Sequence, residues 1–249
     1  MYTDKLQWSR AISKELISSN EVHVWRVLLD LTNCQRESLL GILSADEVER
    51  AGRFHFERDQ KRFIMARGIL RQLLGQYLGK SPNALQFEYT ANGKPVVATN
   101  ADYDNLCFNL SHSGEYAVYA FSRGCNIGID IEFIRNDIAI EQIAQHYFAP
   151  NEISSLKQIN ENKRSELFFQ YWTRKEAFLK ATGTGISFSM ESFDVSLISG
   201  NAWSPITLPG DKGKSLNWHV QDLFPGSGYA AAIVVEGADR DLSCWDYAI

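Results

Sequence analysis

The chain has 249 residues, 45% of them hydrophobic and 22% charged, a composition typical of a globular protein with a substantial core. Its net charge of −5 argues against general nucleic-acid binding, which requires a basic surface. The four cysteines form no C-x-x-C pair, so we expect reduced thiols. The amino terminus lacks an apolar core of signal-peptide length, and the apolar run 229–235 is too short to span a bilayer. We therefore expect a soluble, cytoplasmic protein with no membrane partner.

The first half of the chain predicts a strand, two helices and three further strands. Residues 21–30 are rich in β-branched and aromatic residues, as strands are. Ser44 and Glu47 have the spacing of a capping box at the start of a short helix. A longer helix is predicted for 58–78, with Gly79 as its stop. The further strands are predicted at 85–89, 106–110 and 116–121.

The second half repeats this order of elements. The predictions are a strand at 127–133, helices at 150–156 and 165–182, and strands near Phe193, near Trp218 and at 229–235. An offset of about 105 residues places Glu47 over Glu152 and Phe63 over Phe168. We therefore predict an α+β fold of two similar halves, 1–125 and 126–249. Each half would pack a long helix on a small, mainly antiparallel sheet, with the active site in the cleft between the halves.

Two carboxylates lie two residues apart in the sequence GIDIE, residues 128–132. Because side chains of a strand alternate between its faces, Asp130 and Glu132 share one face. Like charges at this spacing raise each other's pKa unless water or a cation relieves the repulsion. Two interpretations follow, a solvated face of an edge strand and a site for a divalent metal.

The second long helix contains Glu176 and, one turn later, Lys180. This order and spacing are typical of a surface ion pair, which stabilises a helix by only about 0.3–0.5 kcal/mol. The alternative is that Glu176 is a third oxygen ligand beside Asp130 and Glu132 for a hard cation such as magnesium. Lys180 would then contact a substrate phosphate.

Groups that suit a phosphate occur in the first half. Ser111 and His112 follow a predicted strand, and a polar turn there offers hydroxyl, imidazole and backbone N–H groups. The region of the first long helix carries the cations Arg50, Arg53, Arg58, Lys61, Arg62, Arg67 and Arg71. Cations in one half and carboxylates in the other would suit a polyanionic ligand in the cleft. The alternatives are a plain polar turn and a solvated arginine face paired with Glu57 and Asp59.

Four stretches in this order resemble the signature of the surfactin-type 4′-phosphopantetheinyl transferases. They are GKP at 93–95, FNLSHS at 108–113, GIDIE at 128–132 and WTRKEAFLKATGTGIS at 172–187. The resemblance extends from about residue 44 to residue 193 and implies the pseudo-dimeric fold of that family. It implies an enzyme that uses magnesium to transfer 4′-phosphopantetheine from coenzyme A to a serine of an apo acyl, peptidyl or aryl carrier protein, with release of adenosine 3′,5′-bisphosphate.

The resemblance also implies roles for individual residues. Asp130, Glu132 and Glu176 would bind magnesium, and Glu176, or a water that it holds, would act as the base. Lys180 would contact the coenzyme A phosphates and stabilise the departing one. The remaining coenzyme A contacts would be Ser111 and His112 with phosphate, and Lys94 and Pro95 beside the adenine.

The residues that bind the 3′-phosphate are less directly implied. Some relatives have two lysines near the start of the first short helix, where this chain has Glu47 and Arg50. Arg50, Arg53 and Arg62 are therefore the candidates for this phosphate. Because one chain supplies both halves, we expect a monomer.

Two other functions stay open at this point. A metal-dependent hydrolase of nucleotides or coenzyme A would use the same ligands with water as the nucleophile. A catalytically silent coenzyme A-binding module is the other possibility. Such a module has no chemical need for all four of Asp130, Glu132, Glu176 and Lys180.

Overall fold

Two sheets and two long helices form the framework of the protein. The computed structural model describes residues 8–10, 17–30, 32–98, 105–185, 188–198, 202–208, 218–237 and 240–248. Within these ranges, no helix combines the length and the apolar character that crossing a membrane requires.

The first half contains three α-helices, a short 3-10 helix (Pro82–Ala84) and six strands among the described residues. The helices are α1 (Asn33–Leu40), α2 (Ala45–Gly52) and α3 (Glu57–Leu78). The strands are β1 (Ser9–Arg10), β2 (Glu21–Leu28), β3 (Phe87–Tyr89), β4 (Pro95–Val97), β5 (Leu106–Ser113) and β6 (Tyr116–Arg123). The two predicted helices and the predicted capping box of Ser44 and Glu47 are confirmed. The sequence reading missed α1, β1 and β4.

The second part of the chain contributes three helices and five strands in the described ranges. They are β7 (Ile127–Phe133), α4 (Ile140–Tyr147), α5 (Pro150–Gln158), α6 (Glu161–Thr182), β8 (Ser204–Pro205), β9 (Trp218–Leu223), β10 (Tyr229–Glu236) and β11 (Asp241–Asp246). The predicted strand near Phe193 is wrong, because a short 3-10 helix, Met190–Ser192, lies there. Phe193 is 2% exposed in the core, so its apolar surroundings reflect burial and not strand pairing.

The same antiparallel unit occurs in both sheets. One sheet has the order β1-β11-β2-β6-β5 and the other β7-β10-β9-β8, so β2-β6-β5 corresponds to β7-β10-β9. Both long helices have 22 residues and end at a left-handed glycine, Gly79 or Gly183. They begin at Glu57 and Glu161 and are thus 104 residues apart, one fewer than the predicted offset. The prediction of two similar α+β halves is confirmed.

A buried ion pair fixes the long helix of the first half. Glu47 on α2 is 1% exposed and accepts a hydrogen bond of 2.6 Å from Nε of Arg71 on α3. Nη1 of Arg71 donates to the carbonyls of Pro82 and Leu85 at 2.8 and 2.9 Å. Arg67 donates to the same carboxylate. Glu47 therefore has its charge neutralised within the fold.

An equivalent ion pair fixes the long helix of the second half. Glu152 on α5 is fully buried, and Nζ of Lys175 on α6 lies 3.0 Å from its carboxylate. Nζ of Lys175 also donates to the carbonyls of Met190 and Phe193 at 2.8 and 2.7 Å. In both halves, a buried glutamate pairs with a basic residue of the long helix, and that residue also donates to two backbone carbonyls. This shared arrangement is independent evidence for a duplicated unit.

The last described strand lies outside its own half. β11 pairs in parallel with β2, with Asp241 opposite Glu21 and Trp245 opposite Trp25, and so belongs to the first sheet. The division into 1–125 and 126–249 stays a prediction, and β11 departs from it.

Glycine in β7 brings helix α6 close to the sheet. A β-carbon at Gly128 would overlap the carbonyl oxygen of Ala177 and the backbone nitrogen of Ala181. Gly128 precedes Asp130 on the same face of β7. The close approach therefore places α6 directly over the strand that carries the two predicted metal ligands.

Candidate active site

Polar side chains of β5 join the two sheets along the side of β7. Oδ1 of Asn109 accepts the N–H of Ile129 at 2.9 Å, and Oγ of Ser113 accepts the N–H of Phe133 at 3.0 Å. Oγ of Ser113 lies 2.8 Å from Oε2 of Glu132, to which it donates. Because every second residue of β5 faces β7, three successive polar residues of that face line the junction between the halves.

The structure corrects the prediction for the end of β5. The sequence reading placed a polar turn at Ser111 and His112, whereas β5 continues to Ser113. Asn109 was missed as a site residue, and Ser113, which belongs to the predicted polar turn, was missed as a partner of Glu132. The alternation of Asn109, Ser111 and Ser113 in a strand would have been the signal for them.

Asp130 and Lys180 meet at the centre of this junction. Nζ of Lys180 lies 2.6 Å from Oδ1 of Asp130 and 3.0 Å from Oγ of Ser111, which itself donates to the same carboxylate at 2.9 Å. Asp130 is 3% exposed, so the solvated-face interpretation is wrong for this residue. The alternative of a surface ion pair between Glu176 and Lys180 is wrong, because Lys180 pairs with Asp130.

One oxygen of Asp130 has no hydrogen-bond partner among the described residues. Oδ2 is buried and receives no hydrogen bond from any described residue. A buried carboxylate oxygen without a partner is costly, and a bound cation would remove that cost. The orphaned oxygen is therefore the part of Asp130 that is best placed to ligate a metal.

Glu132 and Glu176 are electrostatically coupled to Asp130. Burial, followed by the negative charge of Asp130, raises the pKa of each of these two glutamates. A divalent cation would relieve this repulsion. In the described ranges, however, no three His, Cys, Asp or Glu side chains have the arrangement to hold a metal ion as they stand. The three carboxylates thus share one electrostatic environment without forming a preassembled coordination shell.

A first pocket of about 290 Å³ opens between the two halves beside Lys180. The first half contributes Asn92, Gly93, Lys94, Pro95, Asn109 and Leu110, and α6 with the turn after it contributes Glu176, Leu179, Lys180, Gly183 and Gly185. The predicted site residues Lys94, Pro95, Glu176 and Lys180 are therefore brought together. The predicted cleft between the halves is present.

A second pocket of about 300 Å³ shares Gly93, Pro95, Leu110 and Lys180 with the first and so continues the cleft. The predicted residues Arg50, Ser111 and His112 line it, together with the aromatic residues Phe63 and Tyr89. The guanidinium of Arg50 lies 5.5 Å from the ring centre of Phe63 and 5.9 Å from that of Tyr89. Partial burial, then the charges of Lys180 and Arg62, lower the pKa of His112.

The remaining predicted cations divide into three groups. Arg58 and Lys61 form surface pairs with Asp59 and Glu57 at 3.6 and 2.7 Å, as the interpretation of a solvated face predicts. Arg53 is exposed, pairs with Glu49 at 2.6 Å and does not line either pocket. Arg62 is half-buried and acts on His112 through its charge. Arg67 and Arg71 are buried with Glu47, so the interpretation of a solvated face is wrong for them. Arg71 lines neither pocket, whereas Arg67 also lines the second one.

Comparisons with known proteins assign both halves of the chain to one family. Residues 126–234 match the model of the 4′-phosphopantetheinyl transferase superfamily, and residues 31–123 match the model of the N-terminal region of 4′-phosphopantetheinyl transferases. The 4′-phosphopantetheinyl transferase HetI of a Nostoc species is 38% identical over 229 residues, which cover 92% of this chain and 93% of that protein. The chain belongs to the 4′-phosphopantetheinyl transferase superfamily.

Two relatives with lower sequence identity support the same family assignment. A 4′-phosphopantetheinyl transferase of Bacillus subtilis is 30% identical over 176 residues, covering 70% of this chain and 76% of that protein. The human L-aminoadipate-semialdehyde dehydrogenase-phosphopantetheinyl transferase is 33% identical over 218 residues, covering 82% of this chain and 71% of that protein. The resemblance stated from the four sequence stretches is confirmed. Residues 186 and 187, which end the fourth stretch, lie outside the described residues.

Proposed function

We propose that this transferase moves the 4′-phosphopantetheine group of coenzyme A to a serine of an apo acyl, peptidyl or aryl carrier protein. The observation that carries the proposal is the position of Lys180. Its ammonium lies where the carboxylate of Asp130 in β7 meets Ser111 of β5, and Lys180 lines both pockets of the cleft. A phosphate bound in the cleft would therefore lie beside both a cation and the metal-ligand candidates.

The two pockets suit the two ends of the nucleotide part of coenzyme A. The first pocket offers apolar surface from Pro95, Leu110 and Leu179 for the adenine, with the stem of Lys94 beside it. The second pocket offers Arg50, Ser111 and His112 for phosphate groups. Burial, the charge of Lys180 and the charge of Arg62 lower the pKa of His112, and Arg62 is an additional candidate for the 3′-phosphate. Arg53, paired at the exposed surface, is the weakest candidate of the predicted set.

Magnesium would be held by Asp130, Glu132 and Glu176. Oxygen donors are the ligands that this cation prefers, and the unpartnered oxygen of Asp130 and the raised pKa values of the two glutamates fit a missing positive charge. When bound, the cation would neutralise charge on the pyrophosphate.

The side chains of the chain itself supply the proton transfer and the leaving-group contact. The serine oxygen attacks the phosphorus of the phosphopantetheine phosphate, and the pyrophosphate P–O bond breaks. Glu176, or a water that it holds, takes the serine proton. Lys180 stabilises the charge on the departing adenosine 3′,5′-bisphosphate.

Mass spectrometry of an apo carrier protein incubated with the chain, magnesium and coenzyme A tests this function. A carrier that gains phosphopantetheine supports the transferase. Free phosphopantetheine with an unmodified carrier would show a hydrolase instead, and the absence of both products would favour a silent coenzyme A-binding module. Omitting the chain controls for spontaneous modification.

We also infer a cytoplasmic, monomeric enzyme. A single chain supplies both sides of the cleft, and its four cysteines are free. Cell fractionation and analytical ultracentrifugation test these two points. An exported or obligately dimeric protein would contradict them.

A further inference from the structure

A turn of the first half contacts the end of helix α6. This turn joins β3 to β4 and contains Asn92 and Lys94. Nδ2 of Asn92 donates to the carbonyl of Gly183 at 2.6 Å. Nζ of Lys94 donates to the carbonyl of Lys180 at 2.8 Å and to the carbonyl of Ile127 at 3.0 Å. We call Asn92 and Lys94 the clasp.

Two of the three carbonyls that the clasp binds, those of Lys180 and Gly183, lie at a helix end. The last four carbonyls of an α-helix have no intrahelical hydrogen bond, and a cation near them also interacts favourably with the helix dipole. Lys180 lies in the last turn of α6, and Gly183 is its left-handed cap residue. The N-terminal half thus supplies the C-terminal cap of a helix that belongs to the other half.

The ammonium of Lys94 is committed to the backbone. Two of its three N–H groups bind carbonyls, one at the end of α6 and one at the first residue of β7. A lysine whose main role was to bind a ligand phosphate would direct these donors into the pocket. Burial lowers the pKa of Lys94 to about 8, which agrees with an enclosed ammonium.

The clasp fixes the backbone of the same residue whose side chain serves the reaction. Lys94 holds the carbonyl of Lys180, while the side chain of Lys180 extends to Asp130 and Ser111. Ile127, the second residue held by Lys94, begins the strand that carries Asp130. One ammonium therefore links the segment that presents the cation to the segment that presents the carboxylate.

We propose that Lys94 and Asn92 are positioning residues, which set the last turn of α6 so that Lys180 meets the developing phosphate charge. The proposal rests on the proposed function for the role of Lys180. Neither clasp side chain takes part in the chemistry. Displacing a catalytic group by about 1 Å typically costs up to about a hundredfold in rate, so loss of the clasp should act on turnover.

Hydrogen exchange of the ligand-free protein tests the structural part of the proposal. Lys94→Met keeps the aliphatic stem and removes the ammonium. We expect amides at 177–183 to exchange at least about tenfold faster, while amides of α3 keep their rates. The control is Lys80→Met, because Lys80 is an exposed lysine just beyond the equivalent end of α3. Unchanged exchange at the end of α6 would overturn the proposal.

A double-mutant cycle with Lys180→Ala tests the catalytic part. Lys94→Met should lower kcat about tenfold with a KM for coenzyme A within about twofold of the wild type. In the Lys180→Ala background the same change should cost less than about twofold, because the residue that it positions is gone. An equal loss in both backgrounds, or a rise confined to the KM for coenzyme A, would show that Lys94 acts independently of Lys180.

Two cases need a separate readout, a Lys94→Met variant that does not fold and a wild type that shows no transfer. If Lys94→Met does not fold, Asn92→Ala, which removes only the bond to Gly183, replaces it in both experiments with the same expected directions. If the wild type transfers nothing to any carrier, the proposed function fails, and the exchange experiment still decides whether the clasp orders the end of α6.

Discussion

At the scale of single residues, the sequence predicted that three carboxylates lie together, those of Asp130, Glu132 and Glu176. It did not predict the side chains that surround them. Strand alternation placed the first two on one face. Glu176 was an alternative third ligand from its place on the second long helix, and the resemblance then implied the same role. That Ser111 and Ser113 would bind these carboxylates depends on β5 lying beside β7, although the two strands belong to different sheets. Such non-local packing leaves no local pattern in the sequence.

Glu176→Gln should raise the melting temperature of the metal-free protein at pH 7. Burial and Asp130 raise the pKa of Glu176 above its ordinary value of 4.5. Stability from a raised carboxyl pKa is complete below the unfolded pKa and is lost as pH rises through the folded pKa. The uncharged glutamine avoids that loss.

Melting curves recorded in a chelator between pH 4 and pH 8 check this prediction. The advantage of the variant should grow as the pH rises. Added magnesium should stabilise the wild type more than the variant, since the variant lacks one proposed ligand. A variant that melts below the wild type at pH 7 in chelator would contradict the electrostatic account.

The glutamates Glu47 and Glu152 should matter equally for folding. Replacing either one by alanine leaves its buried basic partner, Arg71 or Lys175, without a counter-charge, which typically costs about 3–5 kcal/mol. Glu49→Ala is the control, because this exposed partner of Arg53 should contribute only about 0–1 kcal/mol. Urea denaturation measures all three. A cost below about 1 kcal/mol for either buried glutamate would refute its structural role.

At the scale of elements, local signals located some helix ends well and missed other elements. The capping box at Ser44 and the stops at Gly79 and Gly183 are short-range features, and the structure has all three. Thr32 and Gln35 form a further capping box before α1, a signal that the sequence reading overlooked. Helix α4 begins without a side-chain cap, so its start has no comparable local signal.

Gly128→Ala should damage the packing of α6 on β7. The added methyl would overlap backbone atoms of α6, which cannot move aside as a flexible side chain can. Overpacking of this kind costs about 1–3 kcal/mol or more. Transfer should also fall, because α6 carries Glu176 and Lys180 and would be pushed away from β7.

Gly52→Ala is the matched control for this prediction. Gly52 ends α2, and a β-carbon there would meet no atom within 4 Å. Alanine at this helical position should be neutral or stabilising by up to about 1 kcal/mol. Equal denaturation midpoints for Gly128→Ala and the wild type would contradict the close packing of α6 on β7.

At the scale of the whole molecule, the two halves differ at the position that Asp130 occupies in β7. Trp25 pairs with Tyr119, the fourth residue of β6, as Asp130 pairs with Ala232, the fourth residue of β10. Trp25 lies 5.0 Å from Trp245 of β11, measured between ring centres. An aromatic contact with β11 thus occupies the first-half position that corresponds to the carboxylates of the second half.

The difference between the halves was only partly predictable. The sequence shows that the corresponding strand of the first half, around residues 24–27, has no carboxylate, and it shows the cations of that half. It does not show that β11 covers the side of β2, because that pairing joins residues more than 200 positions apart. Nor does it show that Arg67 and Arg71 neutralise Glu47, since this contact forms only when α2 packs on α3.

The rate at which an apo carrier gains phosphopantetheine, measured by mass spectrometry for the wild type and Asp130→Ala, tests the central claim most directly. We predict that the wild type converts the carrier with magnesium and coenzyme A present, and that Asp130→Ala is at least about a hundredfold slower while still folded. Asp137→Ala, an exposed change beyond β7, should keep the wild-type rate. Wild-type turnover by Asp130→Ala, or no carrier modified by the wild type, would contradict the account.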